Sequence, residues 1–240
     1  MKKPPLIALP RVHHVGLLDV SAKRTGSYEG AGLSVCLHPA AWRRIARGMV
    51  GGTTHALEHP TGIFVDAHAI GKTMRRAILK WAVDKGLAEK ARIWTMSWDD
   101  SDEDGEYRRS SCVFEDAGKA AYEAEEYEDQ NVAIVDTLEH RSTPALQTAA
   151  MQTESALGDR DVVDLVLPIW AHEVHGVSGV WWNDDHDPWN LSAPRGVIRP
   201  ESLSEWRIEP IRYDPDDEDC DEDDDDDDDE LEDDEELEEA

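Results

Sequence analysis

Residues 183–188, NDDHDP, place three carboxylates, Asp184, Asp185 and Asp187, within four positions, directly after the apolar run GVWW (179–182). Arg195 follows in SAPRG (192–196). A carboxylate held beside a reacting carbon stabilises positive charge that develops there. A cluster of carboxylates can instead hold a divalent metal for hydrolysis. A guanidinium meets a phosphate or a carboxylate through two parallel hydrogen bonds. The plainer reading is also open: Asp before Pro188 is ordinary turn chemistry, and Arg195 pairs with one of those acids. Near the other end, His14 lies within VHHVG (12–16), two residues before Gly16, and Ser27 and Tyr28 sit in a glycine-containing loop. His14 is either a ligand contact or a strand-end residue bonded to backbone. Trp181 and Trp182 read as core, because large aromatics dominate burial.

Other groupings carry less chemistry. HALEH spaces His55 and His59 at i, i+4, a metal-compatible spacing on a helix, but with no third ligand in sight. HEVH (172–175) has the wrong spacing for a zinc protease. GMVGGTTH (48–55) lacks a lysine after its glycines, which excludes the phosphate loop of nucleoside triphosphatases. There is no GxSxG nucleophile elbow and no CxxC thiolate pair. These histidine and cysteine groupings therefore predict no metal site. Three cysteines, Cys36, Cys112 and Cys220, show no paired spacing, which suits a reducing cytoplasm over a disulfide framework.

The 240 residues carry a net charge of −30, and that charge is unevenly spread. Residues 214–240 hold 22 acids and no base, while the other 213 residues hold 24 bases and 32 acids, a balance of −8. A run of like charge with so little apolar content cannot offset its ordering entropy, so the expectation is a single globular domain over 1–213, with an insertion around 99–160, and a disordered polyacidic tail over 214–240. The tail is either a solvated solubility segment or a polyanion that docks a basic protein. The acidity argues against direct binding to nucleic acid or an anionic membrane. No apolar run approaches membrane-spanning length, and the start MKKPPLIALP is too short in apolar residues for a signal peptide.

Several elements must position these groups. Val12–Val15 reads as a strand ending at Gly16, GLSVCL (32–37) as a second, and HPAAWRRIARG (38–48) as a short helix with Pro39 at its first position. GIFVDAHAI (62–70) reads as a strand. In residues 71–86, Met74, Ile78 and Trp81 recur at helical spacing, which makes this the clearest amphipathic helix. RIWTMSW (92–98) and YRRSSCVFE (107–115) pair as a hairpin around DDSDEDGE. Residues 117–129 read as a helix and 131–136 as a strand. Thr143-Pro144 signals a helix start, with Gly158 its stop. Pro168 is expected to break any long helix, leaving a helical segment over 168–175. GVWW, RGVI (195–198) and EWRIEPIRY (205–213) read as strands, the last an edge strand that tolerates Pro210. Strands and helices alternate without regular βαβ units, which predicts an α+β fold.

Two segments carry a resemblance. VHHVG with SYEGAGLSVCLHPAAW (27–42) is similar to the opening strand, glycine-rich loop and second strand of the ADP-ribosyltransferase-like proteins of bacteria and phages. GVSGVWWNDDHDP (176–188) with SAPRGVIRPESLSEW (192–206) looks like that family's closing strand, acidic turn and final strand. The resemblance implies a split, mostly antiparallel sheet with flanking helices that grips NAD. It implies that His14 bonds the adenosine ribose, that Ser27 or Tyr28 lines the nicotinamide side, and that Arg195 meets the pyrophosphate. It also implies that Asp184 or Asp185 sits beside the anomeric carbon. Where the family carries a glutamate, this chain has Asn183, Asp184 and Asp185. Cleaving the nicotinamide–ribose bond builds oxocarbenium character, as in glycoside hydrolysis, and a fixed carboxylate favours that state over the ground state.

The leading expectation is thus an NAD-binding, ADP-ribosyltransferase-like domain that transfers ADP-ribose to an acceptor. Two alternatives stand beside it: a non-catalytic accessory protein of a phage or mobile element, acting through its polyacidic tail on a basic partner, and a metal-dependent hydrolase using the aspartates of 184–187.

Overall fold

The computed structural model describes residues 3–19, 32–45, 53–101, 107–127, 130–184 and 193–212. Eleven strands and five helices alternate along them. The N-terminal part runs β1 (Leu6–Ala8), β2 (Arg11–Val15), β3 (Leu33–Cys36), α1 (Pro39–Ile45), β4 (Thr54–Glu58), β5 (Ile63–Asp66) and α2 (Lys72–Asp84). A long hairpin, β6 (Ala88–Ser101) and β7 (Tyr107–Phe114), leads to α3 (Ala117–Ala124), β8 (Ala133–Ser142) and α4 (Pro144–Ala149). The chain then forms α5 (Asp159–His175), β9 (Gly179–Trp182), β10 (Arg195–Ile198), a 3-10 turn (Pro200–Glu205) and β11 (Arg207–Ile211).

The fold is α+β with a mostly antiparallel sheet. Eight strands form one sheet in the order β1-β5-β9-β10-β3-β2-β4-β11, and β7-β6-β8 form a second sheet of three. Each pairing is antiparallel except β5 with β9, which run parallel from Phe64↔Gly179 to Asp66↔Trp181. A parallel pair needs a long crossover. Here α2, the small sheet, α4 and α5 all lie between the two strands in sequence. Pro210 falls in β11, at the edge of the large sheet, where a proline is tolerated.

The core divides along the pleat, which turns successive side chains to opposite faces. Val65, Val180, Trp182 and Val197 pack on one face against Ile78 and Leu79 of α2 and the buried side of α5. Phe64, Trp181 and Ile198 point the other way, with Val12, Leu57 and Trp206. Trp181 and Trp182 are 1% and 7% exposed, so GVWW is core on both faces.

Three elements depart from the sequence reading. α5 runs unbroken through Pro168. The ring removes one N–H and costs about 3 kcal/mol in a helix interior, but Val162, Val163, Leu165, Val166 and Trp170 are each no more than 1% exposed. Burying such side chains is worth roughly 1.5–3 kcal/mol apiece, which outweighs the defect. Gly158 does not stop α4, which ends at Ala149; it precedes α5 as its N-cap. HALEH is not helical: Thr54–Glu58 is β4, with His55 opposite His14 of β2, so His55 and His59 do not share a helix face. Thr143 does cap α4, its side chain accepting from the Leu146 N–H at 3.3 Å. No described helix is long and apolar enough to cross a membrane.

Candidate functional site

The parallel β5–β9 pair sets two loops side by side. After β5, one carboxylate oxygen of Asp66 accepts from the backbone N–H of His68 (3.0 Å) and of Ala69 (3.2 Å), an Asx-type turn that fixes the start of the loop. The Ala67 N–H donates to the Trp181 carbonyl at 2.9 Å, extending the ladder past the end of β5. His68 thereby arrives beside the residues that leave β9, Asn183 and Asp184. Arg195 opens β10, directly opposite Trp182 of β9.

Asp184 is the meeting point. Its Oδ2 lies 3.1 Å from Nη1 of Arg195, and its Oδ1 lies 3.2 Å from Nε2 of His68. Asp184 and Arg195 are both about three-quarters buried, so their charge interaction is screened less than one at the open surface. Behind them, Asp164 projects from α5, 3.8 Å from Nη1 of Arg75 of α2. Burial pushes the Asp164 carboxyl above the usual carboxylate range. Arg75 and Arg160 oppose that shift, the negative charge of Asp184 reinforces it, and His68 opposes it again. Asp161, one turn earlier, is raised for the same reason, burial first and the Asp164 charge second.

Beyond His68 the loop opens on a cleft of about 520 Å³ between the starts of α2 and α5, lined by Lys72, Arg75, Arg76, Leu79, Asp159, Arg160 and Val163 as well as His68. That size falls in the range of small-molecule sites. Among the described residues no three His, Cys, Asp or Glu side chains group as a metal ion would need.

The structure brings two of the sequence-predicted residues together and leaves one apart. Asp184 and Arg195 form the ion pair above. His14 does not join them. Arg195, Cys36 and His13 are direct partners across β10, β3 and β2 and share one face, so His14, next to His13, points from the opposite face. There its two ring nitrogens lie 2.8 Å from the Ser34 carbonyl and 2.9 Å from the Leu17 carbonyl, and the residue is 8% exposed. His14 is a strand-end brace bonded to backbone. Ser27, Tyr28 and Asp185 lie outside the described residues.

Sequence reasoning missed His68, Asp164 and the basic residues of the cleft. The stripe Lys72, Arg75, Arg76 was visible as the polar part of the α2 pattern, but His68 reaches Asp184 only through the β5–β9 pairing, and Asp164 feels the Asp184 charge only because α5 packs behind those strands. Compared with known proteins, the chain matches no family model, no curated protein and no solved structure.

Proposed function

We propose that the protein binds NAD at the loops leaving β5 and β9 and transfers ADP-ribose, with Asp184 as the carboxylate beside the anomeric carbon. The observation that carries this reading is the Arg195–Asp184 pair at 3.1 Å, flanked by His68 and continuous with a basic cleft through that histidine. In the reaction the bond from the ribose anomeric carbon to the nicotinamide nitrogen breaks, and its electron pair neutralises the pyridinium. The cationic sugar left behind is stabilised by Asp184 until an acceptor nucleophile attacks the same carbon and gives up its proton. A carboxylate already oriented by Arg195 and His68 needs no reorganisation as that charge appears. Arg195 orients Asp184 and, by the resemblance, meets the pyrophosphate. The site so defined lies on one face of the sheet and does not include His14.

The test is transfer of label from tagged NAD by the purified protein in a bacterial lysate. Wild type should label an acceptor. Asp184→Asn should reduce labelling by about a hundredfold or more, the scale for losing a group that acts on transition-state charge, and His14→Ala should not. Labelling that survives Asp184→Asn would overturn the reading.

A second reading is favoured by one observation, the 22 acids and no base of residues 214–240. In it the protein is a non-catalytic accessory factor whose acidic segment docks a basic partner. Association with a basic protein that weakens steeply with salt and disappears on deleting 214–240 supports it; association that ignores salt contradicts it.

A further inference from the structure

α2 begins with Lys72, Arg75 and Arg76, a one-sided stripe at i, i+3 and i+4, and has no acid in its first turn. α5 adds Arg160 in its own first turn. The helix macrodipole already makes both of these ends positive, so acids stabilise them and cations do the reverse. Lys72 and Arg160 thus stand where helix stability disfavours a cation, with Arg75 and Arg76 following along α2; on α5, Asp161 and Asp164 offset part of the Arg160 charge. Among the described residues Lys72, Arg76 and Arg160 form no ion pair within 4 Å, and the Arg75–Asp164 pair is a long 3.8 Å. Asp159, the acid among the cleft residues, is engaged by the His140 ring at 2.7 Å. A conflict between local preference and placement is what functional positions show. The molecule as a whole is strongly acidic, which makes this gathering of cations in one cleft more pronounced.

The cleft has the form of a ligand site as well as its charge. Its basic side chains come from two helices and face a common space of about 520 Å³, over an apolar floor of Leu79 (6% exposed) and Val163 (1% exposed). A volume of that order suits a small molecule better than a length of nucleic acid. Arginines present forks matched to phosphate oxygens, and a lysine adds a point charge. We infer that this cleft binds a phosphate chain, two or more linked phosphates carried by a nucleotide or as an inorganic polyphosphate, held by Lys72, Arg75, Arg76 and Arg160. This goes beyond the NAD reading, since it requires neither Asp184 nor Arg195.

The experiment is calorimetric titration of the full-length protein with tripolyphosphate, ATP and sulfate at matched ionic strength. Wild type should bind tripolyphosphate and ATP and weaken as salt rises. Tighter binding of ATP assigns the chain to a nucleotide, and equal binding assigns it to an inorganic polyphosphate; both support the inference. Lys72→Glu and Arg76→Glu should each weaken tripolyphosphate by about tenfold or more. The melting temperature of Lys72→Glu should not fall, because it removes a cation from a helix N-terminus. Arg76→Gln, the milder change, should lose affinity in the same direction. His14→Ala, on the opposite face of the sheet and with no partner in the cleft, should bind tripolyphosphate within about twofold of wild type. Three results would overturn the inference: no binding of tripolyphosphate or ATP at millimolar concentration, sulfate binding as tightly as tripolyphosphate, or wild-type affinity in the position 72 and 76 variants.

Discussion

Nη1 of Arg195 lies 3.1 Å from Oδ2 of Asp184, joining the first residue of β10 to the loop that leaves β9. The two strands are paired through Trp182↔Arg195, so the ion pair sits on the end of a ladder and inherits its rigidity. Partial burial gives it more weight than an open surface pair, whose typical worth is about 0–1 kcal/mol. In a double-mutant cycle with Asp184→Asn and Arg195→Gln, we expect a coupling energy of about 1 kcal/mol by urea denaturation. Additive single variants would mean that the pair contributes nothing to holding the site.

His14 supports the fold and faces away from the Asp184–Arg195 pair. Its ring braces β2 against the carbonyls of Ser34 and Leu17. Removing a partner from a buried polar group costs about 1–3 kcal/mol. His14→Ala should therefore lower stability by that order while leaving NAD affinity within about twofold. Loss of NAD affinity with unchanged stability would return His14 to the site.

Asp164 should make the fold less stable as pH rises. Burial holds its folded carboxyl above the ordinary value, so the folded state binds this proton more tightly than the unfolded one. Stability then falls as pH climbs from the unfolded value, about 4, through the raised folded value, and the loss is complete above it. Asp164→Asn should flatten that fall in a series of melting temperatures between about pH 4 and 7, and at neutral pH it should be at least as stable as wild type. A variant less stable at pH 7, with the slope unchanged, would show that the Arg75 pair outweighs burial.

Gly179 governs how closely β9 approaches β10. A Cβ there would stand 2.1 Å from the Val197 carbonyl oxygen and 2.9 Å from the Phe64 ring, and the carbonyl is backbone that cannot swing aside. Gly179→Ala should cost about 2 kcal/mol or more and weaken NAD binding by displacing the loop that carries Asp184. A denaturation midpoint close to that of wild type would contradict the close approach.

The fold was legible where periodicity is local. The α2 pattern, the β6–β7 hairpin, the buried GVWW and the edge strand with Pro210 all follow from spacing that a short window shows. α5 was hidden because Pro168 signals a break that only the packing of both sheet and helices overrides. β4 was hidden because the two histidines of HALEH, His55 in the strand and His59 just after it, suggest a helix face, whereas their real neighbours lie on β2 and beside Trp206. The same limit applies to the site. Asp184 and Arg195 stood out because an acidic turn and an arginine flank consecutive strands. His68 and Asp164 lie 116 and 20 positions from Asp184; the parallel β5–β9 pairing explains why His68 bonds it, and the packing of α5 explains why Asp164 feels its charge.

The most direct test of the central claim is a calorimetric titration of the full-length protein with NAD, beside Asp184→Asn and Arg195→Gln. The account predicts saturable binding by wild type and an affinity lower by about tenfold or more in each variant, a loss of about 1.4 kcal/mol, with the circular dichroism of the fold retained. No binding of NAD by wild type at millimolar concentration, or wild-type affinity in Asp184→Asn, would contradict it.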